Sequence, residues 1–140
     1  MHDSATFRDI GDWLDRYQSF ALLSHVRPDG DAIGSQIALG LALEAAGKSV
    51  RLLNDDGVPS NLAFMAESGR VEQPDGSAVE VEVVIALDTG NRDRLGEKSL
   101  QAVAGCHRWI VLDHHQSNDG YGSINYVDAE SPATGQIVYQ

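Results

Sequence analysis

The sequence has 140 residues, of which 42% are hydrophobic and 22% are charged, and its net charge is −11. This length and composition fit one globular domain, and the acidic balance argues against a general binder of long nucleic acids, because phosphate backbones require clustered cations. Cys106 is the single cysteine, which excludes an intramolecular disulfide. Because residues 1–8 lack a signal-peptide pattern and no apolar run reaches the length of a membrane span, we expect a cytoplasmic protein without a membrane partner.

The first third of the chain predicts a helix, a strand and a second helix. Apolar residues at helical spacing between Phe7 and Tyr17 predict an amphipathic first helix. The apolar run 20–23 then predicts a buried strand. The turn residues 27–30 end this run, and a second helix is expected over residues 31–46, apolar on most faces and therefore largely buried.

Strands and helices alternate along the rest of the chain. Further strands are expected at residues 49–53, 81–87, 109–112 and 123–127. Helices are expected at residues 61–65, at 98–104 and from 133 onward, with a surface loop over 72–78. This alternation predicts an α/β fold with a mostly parallel sheet flanked by helices. The chain ends at Gln140 inside a helical pattern without a stop signal, so we expect a truncated C-terminal end.

Three of the predicted strands run directly into side chains that can bind metal. These side chains are His25 after the first strand, Asp88 after the strand at 81–87, and Asp113-His114-His115 after the strand at 109–112. In open α/β sheets, ligands bind outside the carboxyl ends of the parallel strands. If the three strands are neighbours, His25, Asp88 and the histidine pair therefore converge on one crevice.

The turn after the first strand adds two carboxylates to this set. Pro28 and Gly30 predict a tight turn that directs Asp29 and Asp31 back toward His25. Carboxylates mixed with imidazoles suit borderline-hard divalent ions, of which Mn²⁺ is the best match. Five or six ligands are too many for one ion with open positions, so we expect two ions roughly 3.5–4 Å apart, bridged by a carboxylate and a water.

Each of these residues also has an ordinary structural interpretation. Asp31 precedes the second helix and is a competent N-cap. Asp29 with Gly30 fits simple turn chemistry. His25 and Asp88 could be ordinary strand-end residues, and His114 with His115 an exposed loop pair. Their shared position at the ends of three strands favours the metal site.

Four segments, in order, resemble the motifs of the DHH superfamily of phosphoesterases. They are Ser24-His25-Val26-Arg27-Pro28-Asp29-Gly30-Asp31-Ala32-Ile33-Gly34-Ser35, Ala86-Leu87-Asp88-Thr89-Gly90, Asp113-His114-His115, and Asn125-Tyr126-Val127-Asp128 with Ser131 and Thr134. They span residues 24–134, so the resemblance covers most of the chain and predicts that residues 1–140 form a DHH phosphoesterase domain.

The resemblance implies a role for each matched residue. The implied metal ligands are His25 and Asp29 for one Mn²⁺, Asp31, His114 and Asp128 for the other, and Asp88 as the bridge. The implied catalytic residues are Asp88, His115 and Asp113. His115 faces the substrate phosphate as a hydrogen-bond donor or a helper of the leaving group, whereas Asp113 holds the orientation and tautomer of a histidine.

Within the superfamily, Val26-Arg27-Pro28 and Arg94-Leu95-Gly96 are most similar to the bacterial oligoribonuclease and adenosine 3′,5′-bisphosphate phosphatase branch. Enzymes of that branch carry a C-terminal substrate-binding domain, and we expect these 140 residues not to include it. Arg27, Arg92 and Arg94 are the local cations available to a phosphate, and each also fits a surface or structural role.

The expected function is that of a Mn²⁺-dependent phosphoesterase, a hydrolase in which two metals activate water. The expected substrates are nucleotides or very short single-stranded RNAs, especially short oligoribonucleotides and adenosine 3′,5′-bisphosphate, and long duplexes are not expected. The alternatives are a cyclic-dinucleotide phosphodiesterase, an inorganic pyrophosphatase, or a metal-binding fragment that is inactive without its second domain. The sequence leaves open whether the protein forms a homo-oligomer.

Overall fold

The computed structural model describes residues 4–65 and 67–139. Its strands are β1 (Ser19–Ser24), β2 (Ser49–Leu53), β3 (Val71–Glu72), β4 (Val83–Leu87), β5 (Trp109–Asp113) and β6 (Ile124–Val127). Its α-helices are α1 (Ser4–Arg16), α2 (Gly30–Ala45), α3 (Glu97–Ala102) and α4 (Thr134–Tyr139). Short 3-10 helices occur at Ser60–Leu62, Ser68–Arg70 and Arg92–Leu95.

The six strands form one sheet in the order β3-β2-β1-β4-β5-β6, and every neighbouring pair is parallel. The chain builds outward from β1 to β3 on one side, then returns to the centre and builds outward from β4 to β6. The order therefore reverses between β1 and β4. This is the topological switch point, where ligands of doubly wound sheets bind at the carboxyl ends of the strands.

Helices cover both faces of the sheet because the strands are apolar on both faces. In β1, Phe20 and Leu22 face the core formed with α1, α2 and α4, whereas Ala21 and Leu23 face the core that contains α3. All four side chains are fully buried. The central strands are therefore fixed on both sides, which gives the loops at their carboxyl ends a rigid base.

The α/β fold predicted from the sequence is confirmed, with local corrections. The helix expected at 31–46 begins one residue earlier, at Gly30. The helix expected at 61–65 is a 3-10 turn at Ser60–Leu62, and the loop expected at 72–78 begins within β3. Strand β3 was missed because two residues carry no periodicity.

Two further predictions concern membrane-spanning helices and the C-terminal end of the chain. No helix in the described parts of the chain is both long enough and apolar enough to cross a membrane. The final helix is present as α4, and Gln140, at which the sequence pattern stops, lies outside the described residues.

Candidate metal centre

The switch point brings His25 and Asp88 together. Strands β1 and β4 are paired, so the residues that follow them emerge side by side, and His25 Nε2 lies 3.4 Å from Asp88 Oδ2. Asp88 is almost completely buried, at 2% exposure, and its backbone is left-handed, with φ 57°. That conformation costs a non-glycine residue on the order of 1 kcal/mol, and it turns the chain sharply at the end of β4.

The other oxygen of Asp88 faces a second histidine. His114 follows β5, the next strand in the sheet, and its Nε2 lies 3.1 Å from Asp88 Oδ1 and 3.6 Å from Asp31 Oδ2. Asp88 therefore lies between two pairs of side chains. Its Oδ2 faces His25, whose Nε2 also lies 3.9 Å from Asp29 Oδ1. Its Oδ1 faces His114, whose Nε2 also lies close to Asp31.

Asp29 lies at the start of α2 and is its N-cap. Its backbone is extended, and its Oδ1 accepts a hydrogen bond of 2.9 Å from the backbone N–H of Ala32. The same oxygen lies 3.9 Å from His25 Nε2. The capping role considered for Asp31 in the sequence is therefore wrong, because the helix begins at Gly30 and Asp31 lies in its first turn.

The carboxylate of Asp31 is held by the start of α4. It accepts backbone hydrogen bonds from Thr134 at 2.9 Å and from Gly135 at 2.8 Å. The hydroxyl of Thr134 donates to Asp88 Oδ1 at 3.1 Å, so one residue of α4 contacts both carboxylates. The sequence had given Thr134 no individual role.

In two histidines, a hydrogen bond at Nδ1 determines which ring nitrogen carries the hydrogen in the neutral form. His25 Nδ1 lies 2.7 Å from the carbonyl oxygen of Val26, and because a carbonyl only accepts, Nδ1 carries the hydrogen. His115 Nδ1 lies 2.6 Å from Asp113 Oδ1, where an ionised carboxylate selects the same tautomer. The Nε2 atom of each neutral ring then has a free lone pair. Such a histidine can ligate a metal or exchange a proton.

Asp113 and Asp128 are buried at the ends of β5 and β6. Asp113 Oδ2 accepts a hydrogen bond of 2.9 Å from the side-chain amide of Asn118, a residue without any recognisable sequence signal. The backbone N–H of Asp128 donates to the carbonyl of Asp113 at 3.0 Å. Asp128 Oδ1 accepts a hydrogen bond of 3.1 Å from the backbone N–H of Glu130.

The candidate ligand atoms fall into two groups that share Asp88. Within each group all ligand atoms lie within 4.8 Å of one another, and the groups are His25, Asp29 and Asp88, and Asp88, Asp113, His114 and His115. Asp31 adjoins the second group through His114. Among the described residues, Asp128 belongs to neither group, although β6 places it beside Asp113.

Crowding of negative charge perturbs these carboxyl groups. Burial raises the pKa of Asp88, and the charges of Asp31 and Asp29 add to that rise against the opposing hydrogen bond from His25. The hydrogen bond to Asp88 raises the pKa of His25, against the effect of burial. Burial acts to raise the pKa of Asp31, but the backbone hydrogen bonds from Gly135 and Thr134 outweigh it and leave that pKa lowered.

A buried network of hydrogen bonds holds the backbone of His25 in place. The side-chain amide of Asn54 donates to Ser24 Oγ at 2.8 Å and to the carbonyl of His25 at 2.9 Å. Ser24 Oγ in turn donates to Gln36 Oε1 at 2.7 Å, and Gln36 Nε2 donates to the carbonyl of Leu22 at 2.8 Å. The loop that carries His25 is therefore anchored to β1, β2 and α2.

The donor set fits divalent cations. Carboxylate oxygens face one another around Asp88, and no described lysine or arginine forms an ion pair with Asp29, Asp31 or Asp88. Two histidine Nε2 atoms face the same carboxylate. Such a mixture of hard and borderline donors suits Mn²⁺ and related ions. Fold and site together define the class: a doubly wound α/β protein with a candidate metal centre at its switch point.

The chain belongs to the DHH family. The profile described as "DHH family, N-terminal domain" matches residues 19–140, which confirms the family that the four sequence motifs predict. This stretch runs from the start of β1 to the end of the chain and contains both groups of candidate ligands.

Curated relatives and a solved structure agree with this assignment. The chain is 27% identical to the bifunctional oligoribonuclease and PAP phosphatase NrnA of Bacillus subtilis, over 89% of this chain and 38% of that protein. It is 32% identical to the NrnA of Thermus thermophilus, over 84% of this chain and 34% of that protein. An exopolyphosphatase-related protein from Bacteroides fragilis superposes with a TM-score of 0.89 and 28% identity, over 98% of this chain and 42% of that chain. The chain thus spans about two fifths of the length of these proteins.

Proposed function

We propose that this chain is the metal-binding catalytic domain of a phosphoesterase that hydrolyses phosphate esters with two divalent ions, preferentially Mn²⁺. The observation that supports this most strongly is the position of Asp88. Its two oxygens face two separate histidine–aspartate pairs, at 3.4 Å from His25 Nε2 and 3.1 Å from His114 Nε2. A carboxylate in that position is suited to bridge two cations.

The proposed ligands are the residues that the family resemblance implies. His25 and Asp29 hold one ion, Asp31, His114 and Asp128 hold the other, and Asp88 contacts both. When bound, such ions supply positive charge for phosphoryl oxygens and lower the pKa of water. Asp128 is supported by burial and by its place beside Asp113, rather than by a measured distance to the other ligands.

His115 and Asp113 act on the substrate in this proposal. His115 is half exposed on the pocket wall, while Asp113 is fully buried and fixes the ring through Nδ1. His115 Nε2 therefore faces the pocket, where the neutral ring accepts a hydrogen bond or a proton. In the imidazolium form, Nε2 carries a hydrogen and can donate a hydrogen bond to a phosphate oxygen or a proton to the leaving oxygen. Asp113 is a positioning residue that holds the imidazole in the required tautomer.

The proposed substrates are short single-stranded RNAs and adenosine 3′,5′-bisphosphate. The printed names of the NrnA relatives describe an oligoribonuclease and PAP phosphatase, and the net charge of −11 disfavours long duplexes. A cytoplasmic location is part of the same proposal. The chain covers about two fifths of those relatives, so a domain that binds the rest of the substrate stays a prediction.

A metal-binding measurement combined with an activity assay tests the proposal. Equilibrium dialysis with Mn²⁺ should give two ions per chain, and the loaded protein should hydrolyse a two-nucleotide RNA or adenosine 3′,5′-bisphosphate, but not pyrophosphate. Chelation should abolish the activity, and Mn²⁺ should restore it. Binding of two ions without turnover of any substrate would identify a metal-binding domain that needs a second domain. Binding of no ion would refute the proposal.

A further inference from the structure

One pocket opens beside the candidate metal centre. Three of its lining residues, His25, Asp29 and Asp88, are candidate metal ligands. The other lining residues follow β4 and β5, namely Thr89, Gly90, Asn91, Arg94, His115 and Ser117. Arg94 is the single lysine or arginine among these described lining residues.

The backbone of Arg94 is fixed from both directions. Its carbonyl accepts a hydrogen bond of 2.8 Å from the N–H of Val26, and its own N–H donates to Asn91 Oδ1 at 3.2 Å. The next residue, Leu95, is fully buried in the core on the α3 face. The guanidinium itself is exposed and forms no ion pair with any residue in the described ranges. A fixed backbone that presents a free cation loses little entropy when it binds an anion.

The other two arginines named from the sequence serve elsewhere. The guanidinium of Arg92 lies 4.3 Å from the ring centroid of Trp109, stacked on the α3 face of the sheet. Arg27 is exposed in the loop after β1, and its backbone N–H donates to Asp56 Oδ2 at 2.6 Å. Neither residue lines the pocket. The fold thus selects Arg94 from three candidates that the sequence could not rank.

Two peptide groups near Arg94 add hydrogen-bond donors to the same pocket. The carbonyl of Thr89 accepts from Tyr121 Oη at 2.9 Å, and that of Gly90 accepts from the N–H of Asp119 at 3.1 Å. In a trans peptide the N–H points opposite to the carbonyl, so the N–H groups of Gly90 and Asn91 point away from the 119–121 loop. No described residue accepts a hydrogen bond from either. Because Gly90 and Asn91 both line the pocket, these two N–H groups are donors available to a bound anion.

We propose that Arg94, with the backbone N–H groups of Gly90 and Asn91, forms a binding site for the phosphate group of the substrate. The inference rests on the proposed function, because it assigns a role to residues that line the same pocket as the proposed metal ligands His25, Asp29 and Asp88. The planar guanidinium matches two phosphate oxygens at once, and it supplies the positive charge that Asp29 and Asp88 cannot. Arg94 is thus a substrate-binding residue in a pocket otherwise rich in acidic groups.

The test measures binding of a phosphomonoester directly. The Mn²⁺-loaded full chain is titrated calorimetrically with adenosine 5′-monophosphate, and adenosine serves as the ligand without phosphate. Arg94→Gln should weaken nucleotide binding by about 10- to 100-fold, the loss expected for a charged hydrogen-bonded pair. Arg94→Lys should recover part of it, because an ammonium supplies charge without the fork. In hydrolysis, Arg94→Gln should raise KM more than it lowers kcat.

Arg27→Gln is the matched control, since it removes the same charge from a neighbouring loop outside the pocket. Its nucleotide affinity should stay within about twofold of the parent chain. The proposal is overturned if Arg94→Gln binds the nucleotide as the parent does, if Arg27→Gln loses as much affinity as Arg94→Gln, or if the parent binds adenosine equally well. Failure of the proposed function is separable, because an inactive chain can still show Arg94-dependent nucleotide binding, and Mn²⁺ stoichiometry is measured independently in every variant.

Discussion

The two ends of strands β1 and β4 differ in how their polar and charged side chains are paired. At the amino ends, the Glu82 carboxylate accepts hydrogen bonds from the backbone N–H groups of Gln18 at 2.8 Å and Ser19 at 3.2 Å. The Glu82 N–H donates back to Ser19 Oγ at 2.9 Å. Nearby, Lys48 Nζ donates to the carbonyl of Tyr17 at 2.9 Å. These groups at the amino ends are therefore paired within the chain.

At the carboxyl ends of the same strands, three carboxylates lie close together without a lysine or arginine partner among the described residues. Asp88 is buried, and its backbone is in the left-handed region. Burial is the main cause of its raised pKa, and the charges of Asp31 and Asp29 raise that pKa further. Two histidines face Asp88, and no described lysine or arginine pairs with it. We infer that one end of the sheet stabilises the fold, whereas the other groups its carboxylates in an arrangement that fits cations and lowers stability when no cation is bound.

The largest effect is expected for Asp88→Asn. Because folding raises the pKa of Asp88, its ionised form is less favourable in the folded chain than in the unfolded one. At pH 8, with metal chelated, the neutral amide should therefore stabilise the chain by on the order of 1 kcal/mol. Binding of Mn²⁺ should be lost at both positions and hydrolysis should fall by about a thousandfold or more. Thermal melts and equilibrium dialysis measure the two effects.

Asp12→Asn on the exposed face of α1 is the control for a neutralised aspartate. It should leave Mn²⁺ stoichiometry and hydrolysis unchanged. If Asp88→Asn still bound two ions, Asp88 would not be the shared ligand. If its metal-free form melted below the parent at pH 8, the carboxyl edge would not be destabilised by its charges.

The fold and the outline of the site could be predicted because both depend on local patterns. The buried strand at residues 20–23 is recognisable from its apolar run, and a residue that follows such a strand lies at the carboxyl edge wherever the strand is placed. The approximate positions of His25, Asp88 and His114 in the fold could therefore be predicted from the sequence. The family motifs added specificity to this local reasoning.

The contacts that join distant segments could not be predicted in this way. Gly135 donates to Asp31 across 104 residues, and no periodicity or spacing relates the two. The N-cap of α2 was placed at Asp31 for a different reason, because Asp29 and Asp31 flank Gly30 and composition alone does not distinguish them as caps. The extended backbone of Asp29 decides it, and that follows from the path of the loop after β1.

An intermediate effect is expected for Thr134→Val, which removes the hydroxyl that donates to Asp88 Oδ1 but keeps the shape and the backbone bond to Asp31. Loss of the hydrogen bond should cost about 1 kcal/mol of unfolding free energy. If Thr134 positions Asp88, Mn²⁺ affinity should also fall by about tenfold, as for other groups that orient metal ligands. Denaturant unfolding and calorimetric titration with Mn²⁺ measure the two quantities.

Ser99→Ala is the matched removal of a buried hydroxyl. Ser99 Oγ lies on α3, and it has no hydrogen-bond partner among the described residues. Its removal should leave stability equal or slightly higher and should not change Mn²⁺ affinity. Equal Mn²⁺ affinity in Thr134→Val and Ser99→Ala would show that α4 covers the centre without positioning its ligands.

The smallest effect is expected at the opposite end of the sheet, for Glu82→Gln. The backbone hydrogen bond from Gln18, followed by that from Ser19, lowers the pKa of Glu82, so its contribution to stability is present at neutral pH and is lost as the pH falls through the folded-state pKa. The variant should therefore melt slightly below the parent at pH 7, and the difference should disappear once the pH has fallen below the folded-state pKa of Glu82. Its Mn²⁺ affinity should stay within about twofold of the parent, because the substitution lies at the far end of the strands. A substantial loss of Mn²⁺ affinity in Glu82→Gln would mean that the two ends of β1 and β4 are coupled through the sheet, and that stability and metal binding are not divided between them.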